Sequence, residues 1–433
     1  WLLHDDLSDY INKQSFDRQC CAYGEGYTGT LRMRSAMAKH LNNHFKPVMA
    51  IDPEEITFAA GVTSLNEVCA LALCNPDDAI MLPRPVYGAF YRDLGTRTGI
   101  HLEYVSVGDE DQFSTDCIAA LDAGFETAKA RGRSIKALII CNPHNPLGRC
   151  YPRETLIMLL RLCASKGIHL ISDEIYALSV YHRHDRPSEN FTSVRSIDFT
   201  GIINPDQVHV LYGMSKDFGA GGMRLGCVIS QNPEFTKATR AVCRFSSPSQ
   251  FSMSLAAGML EDQDFIGKIL RKSHALLLRN RLLAEDLLNQ AGISFHNKGY
   301  VKVINNFSDF DNLTSNNHNR NAGLFVWLDL SAHLCIEDTS GDAWAAERVL
   351  SRRLKMAGVI MSTGEEYHAE EPGRFRLVFC VSEQTLREGI RRLVPFILWL
   401  RTLRKKIRAE EGFTGYALYY ETRVEALKIP AQT

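Results

Sequence analysis

One lysine in this chain stands where an amine could do covalent chemistry. Lys216 lies in LYGMSKDFGAGGMRLG, Leu211 to Gly226, after an apolar strand-like run and before a glycine-rich turn carrying Arg224. Desolvation or a neighbouring cation lowers an amine's pKa and makes it a nucleophile for carbonyls. A surface lysine is the bland alternative, and the apolar VHVLYGM before it argues against that. Three other polar clusters follow strand-like runs. ISDEIY sets Asp173 directly after an apolar strand with Tyr176 three residues on. A carboxylate leaving a buried strand needs a partner, and a protonated pyridine nitrogen would supply a charge-assisted bond. A surface ion pair or helix cap is its plain reading. CNPHNPLG offers Asn142 and Asn145 between stiffening prolines, where an amide can donate to a ring oxygen; alone it reads as a loop. AGVTSLNE turns from strand to helix at Val62, Thr63 and Ser64. That helix start could hold a phosphate, or Thr63 or Ser64 could simply cap it.

These clusters can meet only if the elements before them run side by side. EITFAAG, DAIMLPRP, HLEYVSV, IKALIICNP, IHLISDEIY, QVHVLYGMSK and LGCVIS are short apolar runs separated by amphipathic stretches. That alternation predicts a mostly parallel sheet covered by helices over residues of about 50–260. In open α/β sheets the carboxyl ends of the strands face the ligand crevice, so clusters far apart in sequence converge there. Residues 1–49 read as an N-terminal arm and helix. A long helix follows from about 261 to 292, and LFVWLDLS, GVIMST and RFRLVFCVS give strands of a smaller α+β domain over 261–412. Its closing helix is EQTLREGIRRLVPFILWLRTLRKKIRAEE. The Asn-rich stretch at about 296–321 reads as a polar surface insertion, with a substrate-facing lid as the lesser reading. Residues 413–433 form an aromatic tail that packs on the body or on a partner subunit.

Composition bounds the rest. The chain has 433 residues, enough for two domains, and 45% are apolar. A net charge of −1 makes no electrostatic case for nucleic acid or an anionic membrane. No apolar run approaches the roughly 20 residues of a membrane helix. Twelve cysteines are irregularly spaced, with no CxxC pair, so buried free thiols in a reducing, cytoplasmic setting are expected, with no metal site. The chain starts at Trp1 rather than Met, so an N-terminal segment is expected to be absent. GEGYTG, Gly24 to Gly29, matches G-x-G-x-x-G, but polar KQSFDRQCCAY precedes it where a nucleotide fold needs a buried strand. These glycines are expected to make a turn that projects Tyr27.

Taken together, amine, carboxylate, phenol, amide and phosphate turn fit one ligand: an aldehyde with an aromatic nitrogen, a phenolic oxygen and a phosphate. Pyridoxal 5′-phosphate (PLP) has all four.

YGMSKDFGAGGMRLG, NPHNPLG, SDEIY and EPGRFRLVF resemble the class I/II aminotransferase superfamily of PLP fold type I. LPRPVYGAFYRDLGTRTGI and NAGLFVWLDL make the chain similar to 1-aminocyclopropane-1-carboxylate (ACC) synthases and their fungal relatives, including C–S lyase-like enzymes. The resemblance covers nearly the whole chain. It implies a large PLP-binding domain with a mostly parallel seven-stranded sheet flanked by helices, a smaller α+β domain, and a homodimer with shared active sites. It makes Lys216 the Schiff-base lysine and proton shuttle, and Asp173 the partner of the pyridine nitrogen. Tyr176 and Asn145 bind the ring oxygen, Tyr87 stacks on the ring, and Val62, Thr63 and Arg224 hold the phosphate, with Ser215 as the group that would compensate for Gly213. Arg376 grips the substrate α-carboxylate, near Asn145 and Tyr87, with Arg374 as its competitor. Tyr27 reaches a neighbouring subunit's phosphate.

Three departures stand out. Gly213 occupies a position where relatives often carry a phosphate-binding serine, and Ser64 stands where they often carry glycine. The chain also begins where the family's N-terminal arm, which contacts the substrate side chain, should end. The expected activity is PLP chemistry at an amino-acid Cα. The leaning is toward elimination at a carbon–sulfur bond in small-molecule biosynthesis. A true aminotransferase is the nearest alternative, and a non-catalytic PLP-binding regulatory protein is a third.

Overall fold

The computed structural model describes residues 2–107, 111–181, 190–295 and 322–409, with side chains to 400. The Asn-rich stretch of about 296–321 and the tail of 413–433 lie outside the described residues. The chain divides into two compact units, one running through Leu278 and taking in Ala322 and Gly323, the other beginning at Arg279 and resuming at Leu324.

In the first unit, helices α1 (His4–Asn12) and α2 (Leu31–Phe45) precede the sheet. Thr30 caps α2, its side chain accepting from Met33 N–H at 3.1 Å. The GEGYTG stretch is a turn with Gly24, Gly26 and Gly29 all at positive φ, preceded by a 3-10 turn at Arg18–Cys21 and by no strand. Strands β1 (Ile56–Ala59), β2 (Ala79–Arg84), β3 (His101–Ser106), β4 (Ile135–Cys141), β5 (His169–Asp173), β6 (Val208–Gly213) and β7 (Gly226–Ser230) form one seven-stranded sheet in the order β1-β7-β6-β5-β4-β2-β3. Strands β3, β2, β4, β5 and β6 pair in parallel, and β7 runs antiparallel to both β6 and β1. The ends of β1, β4, β5 and β6 therefore fall on one edge. Helices α3 (Val62–Leu73), α4 (Phe90–Gly95), α5 (Cys117–Ala130), α6 (Arg153–Lys166), α7 (Pro233–Cys243) and α8 (Gln250–Glu261) complete this unit. Leu65, Val68 and Cys69 of α3 pack in one cluster with Ile80, Leu82, Ile171 and Val228 of the sheet. Strands β1, β6 and β7 are buried along their whole length, as strands covered on both faces should be.

Helix α9 (Gln263–Gln290) carries the chain into the second unit. There β8 (Ser294–Phe295), β9 (Phe325–Asp329), β10 (Ser362–Thr363) and β11 (Arg374–Val378) form an antiparallel sheet in the order β10-β11-β9-β8, with α10 (Ala343–Met356) and α11 (Glu383–Ala409). Asn280 of α9 donates to Phe379 O at 2.9 Å and to Val381 O at 2.7 Å, which ties the helix to the end of β11. GVIMST, expected as a strand, pairs only at Ser362 and Thr363.

All twelve cysteines are free and most are buried. No group of metal-ligating side chains occurs among the described residues. No described helix is long and apolar enough to cross a membrane.

Candidate active site

The strand ends define the site by register. Cys141 pairs with Asp173, Asp173 with Leu211, Gly213 with Gly226, and Gly226 with Ala59. The turns leaving these positions enclose a cavity of about 140 Å³ lined by Val62, Thr63, Tyr87, Asn145, Asp173, Tyr176, Ser215, Lys216 and Arg224. Nine residues singled out in the sequence thus meet there, drawn from six segments. Asn66, Asp93, Cys141, Ile175 and Gly221 share the lining. The sequence alone did not mark these five. Asn66 lies one turn beyond Thr63 on the same helix face, which is the one signal that could have found it.

Asp173 is 4% exposed and accepts from Ile175 N–H at 3.2 Å. Burial pushes its carboxyl up to about 7; the Ile175 N–H and the Lys216 ammonium pull it down, and Asp93 adds to the rise. An acid so placed gains most from a cationic partner. The Lys216 ammonium lies 5.9 Å from the centre of the Tyr176 ring.

Asp217, beside the lysine, is 1% exposed and ties two site turns together. Its carboxylate accepts from Leu178 N–H at 2.9 Å, Ser179 Oγ at 2.6 Å and Tyr212 Oη at 2.9 Å. The turn bearing Tyr176 is thereby fixed to the turn bearing Lys216.

At the other end of the cavity, Gly61 opens α3 with no side-chain cap. The Ser64 hydroxyl instead donates back to Ala60 O at 3.3 Å, so the capping alternative for Thr63 and Ser64 does not hold. An uncapped helix start leaves N–H groups and the positive end of the helix dipole for an anion. Arg224, itself at φ 50°, closes the same corner and donates to Ala60 O and Gly221 O, both at 3.2 Å. A Cβ on Gly61 would stand 2.7 Å from Arg224 Nη2, and Gly61 has φ +84°, so only glycine suits this corner. Gly213 has a similar reason: a Cβ there would stand 2.7 Å from Leu225 O and 2.9 Å from Gly226 Cα. A side chain at this position has no room here unless the backbone shifts.

Two expected residues lie elsewhere. Tyr27 does not line the cavity; it is 39% exposed, with the Arg244 guanidinium 5.4 Å above its ring. Arg376 belongs to the second unit, on β11, where its guanidinium lies 5.1 Å from the Phe325 ring centre and 4.9 Å from that of Tyr367. Its competitor Arg374 is ion-paired with Asp329 at 2.5 Å and Glu371 at 3.0 Å.

The donor set fits PLP. An amine, a buried acid, a phenol, an amide, an aromatic face and an uncapped helix start beside a guanidinium match the aldehyde, ring nitrogen, ring oxygen, ring face and phosphate.

Comparisons with known proteins agree. Residues 18–393 match the model of aminotransferase class I and II. An ACC synthase 1 of Prunus mume is 31% identical over 92% of this chain and 76% of its own length. A probable aminotransferase, tcpI, of Claviceps purpurea is 31% identical over 88% of this chain and 83% of its own length. The aspartate aminotransferase of Thermus thermophilus with maleate superposes with a TM-score of 0.69 at 21% identity, covering 90% of this chain and 88% of that one, which supports the fold. The chain belongs to the class I and II aminotransferases and is an enzyme of this PLP-dependent family.

Proposed function

We propose that the enzyme acts on an amino acid or amino-acid-derived thioether, removing the Cα proton and then cleaving a carbon–sulfur bond, in the manner of the ACC synthases it is similar to. The convergence of Lys216, Asp173, Tyr176, Asn145 and Arg224 on one cavity carries this reading. When bound, PLP supplies an electron sink for the bond broken at Cα. The chain's residues supply the rest. Lys216 anchors the aldehyde and, once displaced by substrate, moves the Cα proton. Asp173 keeps the pyridine nitrogen protonated. Asn145 and Tyr176 orient the ring oxygen, Tyr87 covers the ring face, and Val62, Thr63, Ser215 and Arg224 hold the phosphate. Arg376 takes the substrate α-carboxylate; Arg374 is already committed to Asp329 and Glu371. Tyr27 completes a neighbour's site in a homodimer. The large domain is taken as 50–260 and the small one as 261–412. A cytoplasmic location accords with the free, buried thiols.

True transamination is the second reading, favoured by the 31% identity to the Claviceps purpurea probable aminotransferase. One experiment separates the two. Holoenzyme is mixed with amino acids and thioether conjugates without any keto acid, and cofactor and products are followed by mass spectrometry. Release of a thiol, ammonia or a cyclopropane product over many turnovers, with the cofactor remaining PLP, is expected. Stoichiometric pyridoxamine phosphate would replace this reading with transamination. Lys216→Ala should abolish the visible absorbance of the lysine-bound cofactor, and colour that survives would remove Lys216 as the anchor. Arg376→Lys should raise KM for α-amino acids by an order of magnitude or so, because an ammonium cannot form the two-point contact of a guanidinium; unchanged kinetics would assign the carboxylate elsewhere.

A further inference from the structure

The cavity contains a polar pair that none of these roles uses. Asn66 Nδ2 donates to Asp93 Oδ2 at 3.2 Å, and both residues line the cavity. Asn66 is 1% exposed, and its Oδ1 has no hydrogen-bond partner among the described residues. Among the described residues, then, Asp93 alone decides which way this amide faces. Turning the amide over, an exchange of nearly identical shapes, would set Oδ1 against Asp93. That arrangement is favourable only if the Asp93 carboxyl carries a proton. The surroundings point the same way. Burial pushes Asp93 up to about 6, while the hydrogen bond from Asn66 and the charges of Arg224 and Arg92 hold it down. Asn66 faces it from α3, Arg224 acts from the turn before β7, and Arg92 lies on its own helix. Asp173, at the end of β5, is a further acid coupled to it. An anion on Arg224 and the start of α3 would cancel the positive field and add like charge, so the ionised form of Asp93 loses its support.

We infer that the Asn66–Asp93 pair is a proton-linked positioning element of the phosphate site: Asp93 takes one proton from solvent as the anion binds, and the neutral acid then hydrogen-bonds to Asn66. One O–H bond forms on Asp93, and no bond of the ligand breaks. The inference rests on the reading of this cavity as the cofactor site.

The probe is pyridoxine 5′-phosphate, which lacks the aldehyde and so cannot bond to Lys216. Its affinity for the full chain, freed of cofactor, is measured from pH 5.5 to 9 by calorimetry in two buffers of different ionisation heat. The ligand's own phosphate titration is common to all variants and cancels in the comparison. Between the free and bound pKa of one linked group, affinity falls tenfold per pH unit. Relative to Asp93→Asn, the native enzyme should show up to that additional slope above about pH 6, with up to one additional proton taken up. Asp93→Asn, neutral at every pH, should bind more tightly at pH 8. Asp93→Ser, a second neutral variant, should show the same flattened slope if the asparagine variant folds poorly. Equal slopes and equal proton uptake in native and variant proteins would overturn the inference and leave the cofactor reading standing, as would weaker binding by both variants at pH 8. Failure of the native chain to bind the probe at any pH would overturn both.

Discussion

Glu174 follows Asp173 in sequence, but its surroundings give it a different task. It is fully buried and does not line the cavity; Oε1 accepts from Ser172 Oγ at 3.1 Å and from Val194 N–H at 2.9 Å. Burial pushes the carboxyl up to about 8, against hydrogen bonds from Ser193, Val194 and Ser172 that pull it down. The folded pKa is thus above the unfolded value of about 4.3. The associated stability is fully present below the unfolded pKa and is lost as pH rises through the folded one. Native enzyme should therefore lose more thermal stability between pH 6 and pH 9 than Glu174→Gln does, as read by calorimetric melting. Parallel losses in the two proteins would show that Glu174 titrates normally. Two neighbouring acids of one strand end thus differ in place, one lining the cavity and one internal.

At the scale of elements, the site depends on how closely β7 approaches the turn before α3. A Cβ on Gly226 would stand 2.7 Å from Val62 N and 2.8 Å from Gly61 C. Those are backbone atoms of the proposed phosphate turn and cannot rotate away. Gly226→Ala should cost about 1–3 kcal/mol through overpacking. It should also weaken PLP binding, since Gly61 and Val62 must shift. A lowered melting temperature with unchanged PLP affinity would separate the strand from the turn. The short α4 shows where local pattern misleads. VYGAFYRDLGTRTG has helical spacing, but the helix spans only Phe90–Gly95. Val86 and Phe90 are buried in the α3 cluster while Tyr87 lines the cavity, so the residues before the helix form a turn that presents a ring.

For the molecule as a whole, the first unit carries an aromatic surface assembled from three segments. Tyr23 is 84% exposed and Phe245 83%, with Tyr27 and Phe251 partly exposed beside them. Gln250 Nε2 donates to Tyr23 O at 2.9 Å, the Phe16 and Phe251 rings lie 5.3 Å apart, and Arg244, beside Phe245, lies over the Tyr27 ring, so these segments adjoin. Exposed apolar patches of this kind mark interaction surfaces. In the proposed homodimer this face meets its copy and brings Tyr27 toward a neighbouring site. Phe245→Asp should shift the enzyme from dimer to monomer by light scattering, with PLP affinity falling in parallel. A monomeric native enzyme with full activity would remove Tyr27 from the site.

The sequence by itself determined the chemistry-bearing residues that follow strands. Lys216, Asp173, Asn145 and Thr63 each end an apolar run, and a parallel sheet brings such ends to one edge whatever the details of packing. It also determined the seven strands of the large sheet, because buried β-branched runs leave few other arrangements. Tertiary structure alone decided what surrounds those residues. Asn66 and Asp93 lie on different helices, and nothing in their spacing shows that an amide of one meets the carboxyl of the other. Asp217 stands beside the lysine in sequence, yet its partners Leu178 and Ser179 come from the turn after the neighbouring strand β5. Arg374 and Arg376 lie two apart in sequence, and only the pairing of β11 with β9 shows that Arg374 meets Asp329 while Arg376 lies against the rings of Phe325 and Tyr367. Nothing in the sequence shows why Gly213 must be glycine, whereas in the fold Leu225 O occupies the space a side chain would need. Strand ends are set by local pattern, whereas burial, hydrogen-bond partners and charge state depend on which distant segments the fold brings within a few ångströms.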